Sequence, residues 1–161
     1  MFVEVTTEEH ITTVVSLAGE IWTEHYTPII GKAQVEYMLD RFQSKEAVTG
    51  QLRSGCRYFL IEEENCCIGY FAVQPKGDEL FLSKIYFTAP MRCKGYGRKA
   101  VQFLESLAKE CGFRKITLTV NKNNADSIKA YEKIGFKNLG SVIQDIGGGF
   151  VMDDYRMEKT I

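Results

Sequence analysis

Positive charge and glycine converge at one point of this chain. Arg92-Cys93-Lys94-Gly95-Tyr96-Gly97-Arg98 comes after a strongly apolar run, Leu80 to Phe87, and the pair Ala89-Pro90. It precedes Ala100, Val101, Leu104, Leu107, Ala108 and Cys111, which recur at helical spacing. The order predicts a strand, a glycine turn and a helix. The first N–H groups of a helix have no acceptor within it, and the helix dipole adds roughly half a positive charge there. Glycines let the backbone come close to an anion. Arg92, Lys94 and Arg98 bring further charge to the same place. Such a turn is suited to gripping a phosphate or diphosphate.

Three loop designs compete for these residues. A mononucleotide P-loop ends in Gly-Lys-Ser/Thr, and no such ending is present. Gly95-Tyr96-Gly97-Arg98-Lys99-Ala100 satisfies the dinucleotide pattern literally. That pattern also needs an acid about 20 residues on to hold a ribose, and the next apolar strand, Lys115 to Val120, runs into Asn121-Lys122-Asn123 instead. The third design is Arg/Gln-x-x-Gly-x-Gly/Ala, matched by Arg92-x-x-Gly95-x-Gly97. This stretch resembles the diphosphate loop of the GCN5-related N-acetyltransferases, the GNAT family. A second block, LTVNKNNADSIKAYEKIGF at 118–136, resembles the segment after that loop's helix in the family: a strand, an Asn, a short helix bearing Ala and Tyr, then Gly-Phe. Asn124, Ala125, Ser127, Ala130, Tyr131, Gly135 and Phe136 fall on those positions. Two blocks in order are far more specific than one glycine loop. The resemblance covers residues 57–158, while the first 55 match the family only in general layout.

The resemblance implies acetyl-CoA as donor and an amine, of a small molecule or a peptide, as acceptor. It implies that Cys93, Lys94, Gly95, Tyr96, Gly97 and Arg98, with Arg92 before them, bind the diphosphate. Ile85, Tyr86 and Phe87 would hold the pantetheine arm through their backbone, in a gap facing Thr119–Val120. Asn124 and Ser127 would bind the cofactor farther along. Tyr131 would be the general acid, although spacing alone also fits a residue packed between Ile128 and Ile134. Attack of an amine on a thioester ends by expelling a thiolate. A thiol has a pKa of about 8.5 and a tyrosine about 10, so the proton transfer is uphill by only ~2 kcal/mol. The amine must attack neutral, which for an alkylamine at pH 7 costs about 4.6 kcal/mol, so a base is expected. Some family members carry a glutamate on the strand before the loop. Here that segment reads Ser83-Lys84-Ile85-Tyr86, and a cationic Lys84 is poorly suited to the task. Glu24, His25, Asp153 and Asp154 remain as candidates, with Tyr26 and Trp22 beside the first two. Glu20, Glu24, Asp153 and Asp154 would together suit a polyamine acceptor; a protein lysine or N-terminus and an aminoglycoside are the next choices. A non-catalytic acetyl-CoA sensor is the alternative reading, and the presence of Tyr131 argues against it.

The composition agrees with one N-acetyltransferase domain over 1–161. A chain of 161 residues with 45% hydrophobic content can bury a single core. A formal net charge of −1 gives no general attraction to nucleic acid or to anionic membrane, so the basic turn is a local feature. No run reaches the ~18 apolar residues of a membrane span. MFVEVTTEEH has no signal-peptide core, so a cytoplasmic chain is expected. Five scattered cysteines argue against a disulfide framework, and no spacing suggests a metal. Cys93 lies in the electropositive turn, where a thiol is expected to ionise more readily.

The elements that must position these groups emerge from periodicity. Phe2–Val5 predicts a first strand, and Thr6-x-x-Glu9 a capping box opening a helix whose face is Ile11, Val14, Val15, Ala18, Ile21 and Trp22. Pro28 is expected to stop it. Lys32–Phe42 predicts a second helix, and Ser44 caps a short third ending by Gly55. Tyr58–Glu63 and Cys66–Gln74 flank Glu64-Asn65 as a hairpin, and Pro75–Asp78 is a turn. Asn124 should cap, and Gly135 end, the helix carrying Tyr131. Two last strands, Phe136–Ile143 and Phe150–Glu158, surround Gly147-Gly148-Gly149. The result is an α/β GNAT fold: a mixed sheet of six to seven strands flanked by helices on both faces, with splayed parallel strands in the middle. Family members often form a homodimer through the C-terminal strands.

Overall fold

The computed structural model describes all of residues 1–161. In chain order the elements are β1 (Phe2–Glu4), α1 (Glu8–Ile30), α2 (Lys32–Gln43), α3 (Lys45–Arg53), β2 (Arg57–Glu63), β3 (Cys66–Lys76) and β4 (Glu79–Phe87). A 3-10 turn at Ala89–Met91 leads to α4 (Tyr96–Glu110), β5 (Lys115–Asn121), α5 (Ala125–Ile134), β6 (Lys137–Gly147) and β7 (Phe150–Thr160). The strands form one mixed seven-stranded sheet in the order β1-β2-β3-β4-β5-β7-β6, flanked by helices.

The chain packs as two compact units: Met1–Gln74 with Lys84–Lys94, and Pro75–Ser83 with Gly95–Ile161. β4 therefore belongs to both. In the first unit α1, α2 and α3 pack on one another, and β1, β2 and β3 form their own ladder. Ile11, Val14, Leu17, Ala18, Ile21 and Trp22 are the buried face of α1. Leu17 takes the inward place expected for Val15. The cap is Thr7, whose Oγ1 accepts from His10 N at 3.2 Å, one residue later than the Thr6 capping box. Pro28 does not stop α1, which continues to Ile30. It lies in the last turn, where it deprives only the Glu24 carbonyl of its intrahelical donor. Gly31, with φ +86°, closes the helix through its N–H to the Thr27 carbonyl.

In the second unit α4 packs on β5 through Ala100, Val101, Leu104 and Ala108. Cys111 stands after the helix as its exposed cap instead of extending that stripe. β5 pairs antiparallel with β7 from Lys115↔Thr160 to Asn121↔Asp154. Its parallel ladder with β4 spans only Glu79↔Lys115 to Leu82↔Leu118. Glu79 anchors this corner: it accepts from Thr117 Oγ1 and Arg156, and lies 3.6 Å from Lys115 Nζ.

The far end of β4 is seated by a bulge in β3. The β2–β3 register passes from Ile61↔Gly69 to Glu62↔Cys67, leaving Ile68 as the extra residue. The Ile68 carbonyl accepts from Thr88 N at 2.9 Å, just past β4. Gly69 meets the backbone of Tyr86 and Phe87 so closely that a Cβ would collide with the Tyr86 carbonyl and lie 3.2 Å from Phe87 Cα. Gly69→Ala is expected to destabilise the protein by about 1–3 kcal/mol, read from the denaturant midpoint. An unchanged midpoint would show that β3 and the end of β4 separate freely.

Candidate functional site

The turn before α4 has the conformation that an anion grip requires. Cys93 and Gly95 both have positive φ, +60° and +85°, so the chain turns sharply twice before the helix. No side chain caps α4. The first helical N–H closed internally is that of Lys99, bonded to the Gly95 carbonyl at 3.2 Å. Those of Gly97 and Arg98 come earlier in the first turn and have no acceptor within the helix. Cys93, Lys94, Gly95, Arg98 and Lys99 are exposed, and Tyr96 is partly covered beneath the Lys99 ammonium. The expected residues are thus present as an open, cationic helix start that fits a diphosphate.

Arg92 has a different task from its neighbours. Its guanidinium is held by Glu24 through two bonds, 3.2 Å to Oε1 and 2.7 Å to Oε2, while its Nε donates to the Phe87 carbonyl at 3.1 Å. The Arg92 hydrogen bond holds the Glu24 carboxyl below its ordinary range. Glu24 therefore ties α1 to the end of β4. His25 packs its ring against Tyr26 at 5.0 Å. The Tyr26 hydroxyl lies 3.1 Å from that of Tyr86, and Trp22 packs edge-on to both rings. Ile85, Tyr86 and Phe87 are all partly exposed at the end of β4.

In the second unit Asn124 occupies the N-cap position of α5, but its side chain makes no capping bond. It is buried, and its N–H bonds the Asn121 carbonyl at 2.9 Å, which fixes how the helix leaves β5. Ser127 and Tyr131 lie one turn apart on α5 and both keep partial exposure. The Tyr131 ring stands edge-on to Phe136 at 5.6 Å, and its carbonyl accepts from Gly135 N and Phe136 N. Gly135, with φ +112°, ends the helix as the sequence predicts. Asp153 is paired with Lys122 at 2.6 Å. Asp154, opposite Asn121 in the ladder, is only 4% exposed, and its Oδ1 has no hydrogen-bond partner. Burial, then the adjacent Asp153 charge, pushes its carboxyl up to about 6 against the pull of Thr119 and Lys122.

A polar network in the first unit left little trace in the sequence. Lys84 Nζ donates to Gln51 Oε1 at 3.3 Å, and the same oxygen accepts from the Tyr58 hydroxyl at 2.6 Å. Gln43 Nε2 donates to that hydroxyl at 3.0 Å, and Tyr70 donates to Gln43 Oε1 at 2.7 Å. The one signal was a lysine inside the apolar run of β4. Burial pushes Lys84 down to about 8 and raises Tyr58 and Tyr70 above the ordinary phenol value. A lysine depressed in the fold binds its proton less tightly there than in the unfolded chain, so stability increases from about pH 8 toward 10.5 as the ammonium is lost. Lys84→Met should raise the melting temperature at pH 7, by on the order of 3 kcal/mol in stability, with the gain shrinking through that window. Equal melting curves at pH 7 would show that Lys84 is not strained by its burial.

Comparison with known proteins agrees with this geometry. The Acetyltransferase (GNAT) family profile matches residues 17–136. The chain is 25% identical over 123 residues to the uncharacterized N-acetyltransferase YhdJ of Bacillus subtilis, covering 73% of this chain and 85% of that one. It is 28% identical over 89 residues to the uncharacterized N-acetyltransferase YjgM of Escherichia coli, 53% of each. Among solved structures, the PaiA N-acetyltransferase of Thermoplasma acidophilum, crystallised with coenzyme A, superposes with a TM-score of 0.81 at 21% identity, over 100% of this chain and 99% of its own. A GCN5-related N-acetyltransferase of Rhodopseudomonas palustris gives a TM-score of 0.82 at 14% identity, over 100% and 95%. That profile covers most of the chain, including the loop before α4 and the short helix α5, and this chain belongs to the GNAT family of acetyltransferases.

Proposed function

We propose that this protein transfers an acetyl group from acetyl-CoA to a primary amine by direct attack within a ternary complex. The observation that carries the reading is the uncapped, cationic start of α4 behind two positive-φ residues, on a chain of this family. The N–H groups of Gly97 and Arg98, with Lys94 and Arg98 as cations, would hold the diphosphate. The backbone of Ile85–Phe87 would align the pantetheine arm. Asn124 and Ser127 would steady the donor from α5. Acetyl-CoA supplies the activated thioester. Two experiments test this: thermal shift with acetyl-CoA, which should raise the melting temperature, and thiol release across an amine panel. No shift would overturn the reading; a shift with no thiol release from any amine would leave a coenzyme sensor.

Tyr131 is the general acid in this proposal, delivering its phenol proton to the departing thiolate. Tyr131→Phe should lower kcat by about 10²–10⁴-fold with little change in acetyl-CoA affinity. Unaltered turnover would reject the role.

Asp154 is the base we favour. A carboxyl raised to about 6 is mostly ionised at pH 7 and still basic enough to take a proton from an ammonium. Its unpartnered Oδ1 is the available acceptor. The rate should fall below about pH 6, as the carboxylate is protonated, and Asp154→Asn should remove that limb together with most of kcat/KM. A limb unchanged in Asp154→Asn would place the base elsewhere. Of the four acids expected for a polyamine, Glu24 is paired with Arg92 and Asp153 with Lys122.

A further inference from the structure

A cleft of about 160 Å³ opens on the second unit between α4 and α5, room for a small polar group and a few waters. Arg98, Gln102 and Glu105 line it from α4, Lys133 from α5 and Lys159 from β7. The α4 residues recur at i, i+4 and i+7, so they form one stripe that begins in the first turn of that helix. Buried Val101, with Ile134, gives the cleft an apolar wall. Three cations thus share one carboxylate. Lys159 is paired with Glu105, and 21% and 24% of their side chains are exposed. Arg98 and Lys133 are exposed and enter no ion pair. A lysine in the last turn of a helix, such as Lys133, is by itself an ordinary complement to the helix dipole. Two unpaired cations lining one concavity are a different matter: they repel each other, and an anion between them turns that repulsion into attraction.

The charge of the cleft selects its occupant. A carboxylate would answer one of the two free cations. A phosphate monoester carries roughly 1.5 to 2 negative charges near pH 7 and offers three acceptor oxygens, so it answers both. Arg98 belongs to two places at once: its N–H lies at the start of α4, where the diphosphate is proposed to sit, and its side chain lines the cleft. A second phosphate joined to the diphosphate through one sugar is therefore the natural candidate. Coenzyme A carries such a group on its ribose. We propose that this cleft receives the 3′-phosphate of the coenzyme between Arg98 and Lys133, with the Gln102 amide as a further donor, and that the protein thereby distinguishes coenzyme A from its 3′-dephospho form. Glu105 does little to oppose the anion, because Lys159 balances its charge.

This inference rests on the acetyl-transfer reading, and its test separates the two. Binding is measured by titration calorimetry, which needs no turnover. The wild type should bind coenzyme A about ten- to a hundredfold more tightly than 3′-dephospho-coenzyme A, the range of hydrogen bonds to a charged group. Lys133→Met should cut that ratio to a few-fold, since Arg98 remains, and Lys133→Arg should keep it. Lys109→Met, which removes an exposed lysine from the last turn of α4, should leave the ratio as in the wild type. Equal affinity of the wild type for the two coenzymes overturns the proposal. So does a ratio that Lys133→Met leaves intact, or one that Lys133→Met and Lys109→Met lower alike. Inorganic phosphate tests the other source of the same group. If it raises the melting temperature of the wild type but not of Lys133→Met, while the two coenzymes bind alike, the cleft takes a free phosphate and the assignment to the coenzyme falls. Failure of both coenzymes to bind overturns the acetyl-transfer reading and this inference with it, whereas equal, tight binding of both overturns the inference alone.

Discussion

Hydrogen bonding between β4 and β5 covers four residue pairs and then ends at Leu82↔Leu118. Much else in the protein answers to that short ladder. A parallel strand normally spends its N–H and C=O groups on its neighbour, and buried groups left unpaired are destabilising. β4 continues to Phe87, and its last part is supported from the β3 side. The bulge at Ile68, the missing side chain at Gly69 and the bond from Thr88 to the Ile68 carbonyl all serve that support. Arg92 adds a clasp from beyond the strand, joining the Phe87 carbonyl to Glu24 on α1. The arrangement keeps a strand end in place without a full ladder.

The same structure tolerates polar groups in unfavourable surroundings. Lys84 lies among aromatic rings with one hydrogen bond, and Asp154 keeps an unpartnered oxygen. Each is the sort of burial that stability alone would remove, since replacing a stranded polar group by an apolar one of equal shape is often favourable. The first unit holds the lysine, and the second holds the carboxyl and the tyrosine of α5.

Much of this was legible in the chain of letters. Helix and strand periods, together with the turn and cap residues between them, set out all five helices and all seven strands. The departures were local. Pro28 falls in the last turn of α1, where its missing N–H matters little, and Thr7 caps the helix in place of Thr6. Asn124 stands at the start of α5, buried, without capping it. Local pattern reports what a residue type can do, and neighbours distant in sequence decide which option is taken.

Amino-acid order by itself determined the strand–turn–helix with its two glycines, the Asn-to-Gly-Phe block, the layer architecture and hence the family. These depend on spacing along the chain, and spacing is preserved in sequence. Tertiary structure alone decided which charges are free. It gave Arg92 to Glu24, a residue of α1, and Lys122 to Asp153. It left Lys84 with one hydrogen bond and no ion pair, and Asp154 with one unpartnered oxygen. The physical reason is that charge pairing and desolvation act across space between segments far apart in the chain, so no local reading can assign them.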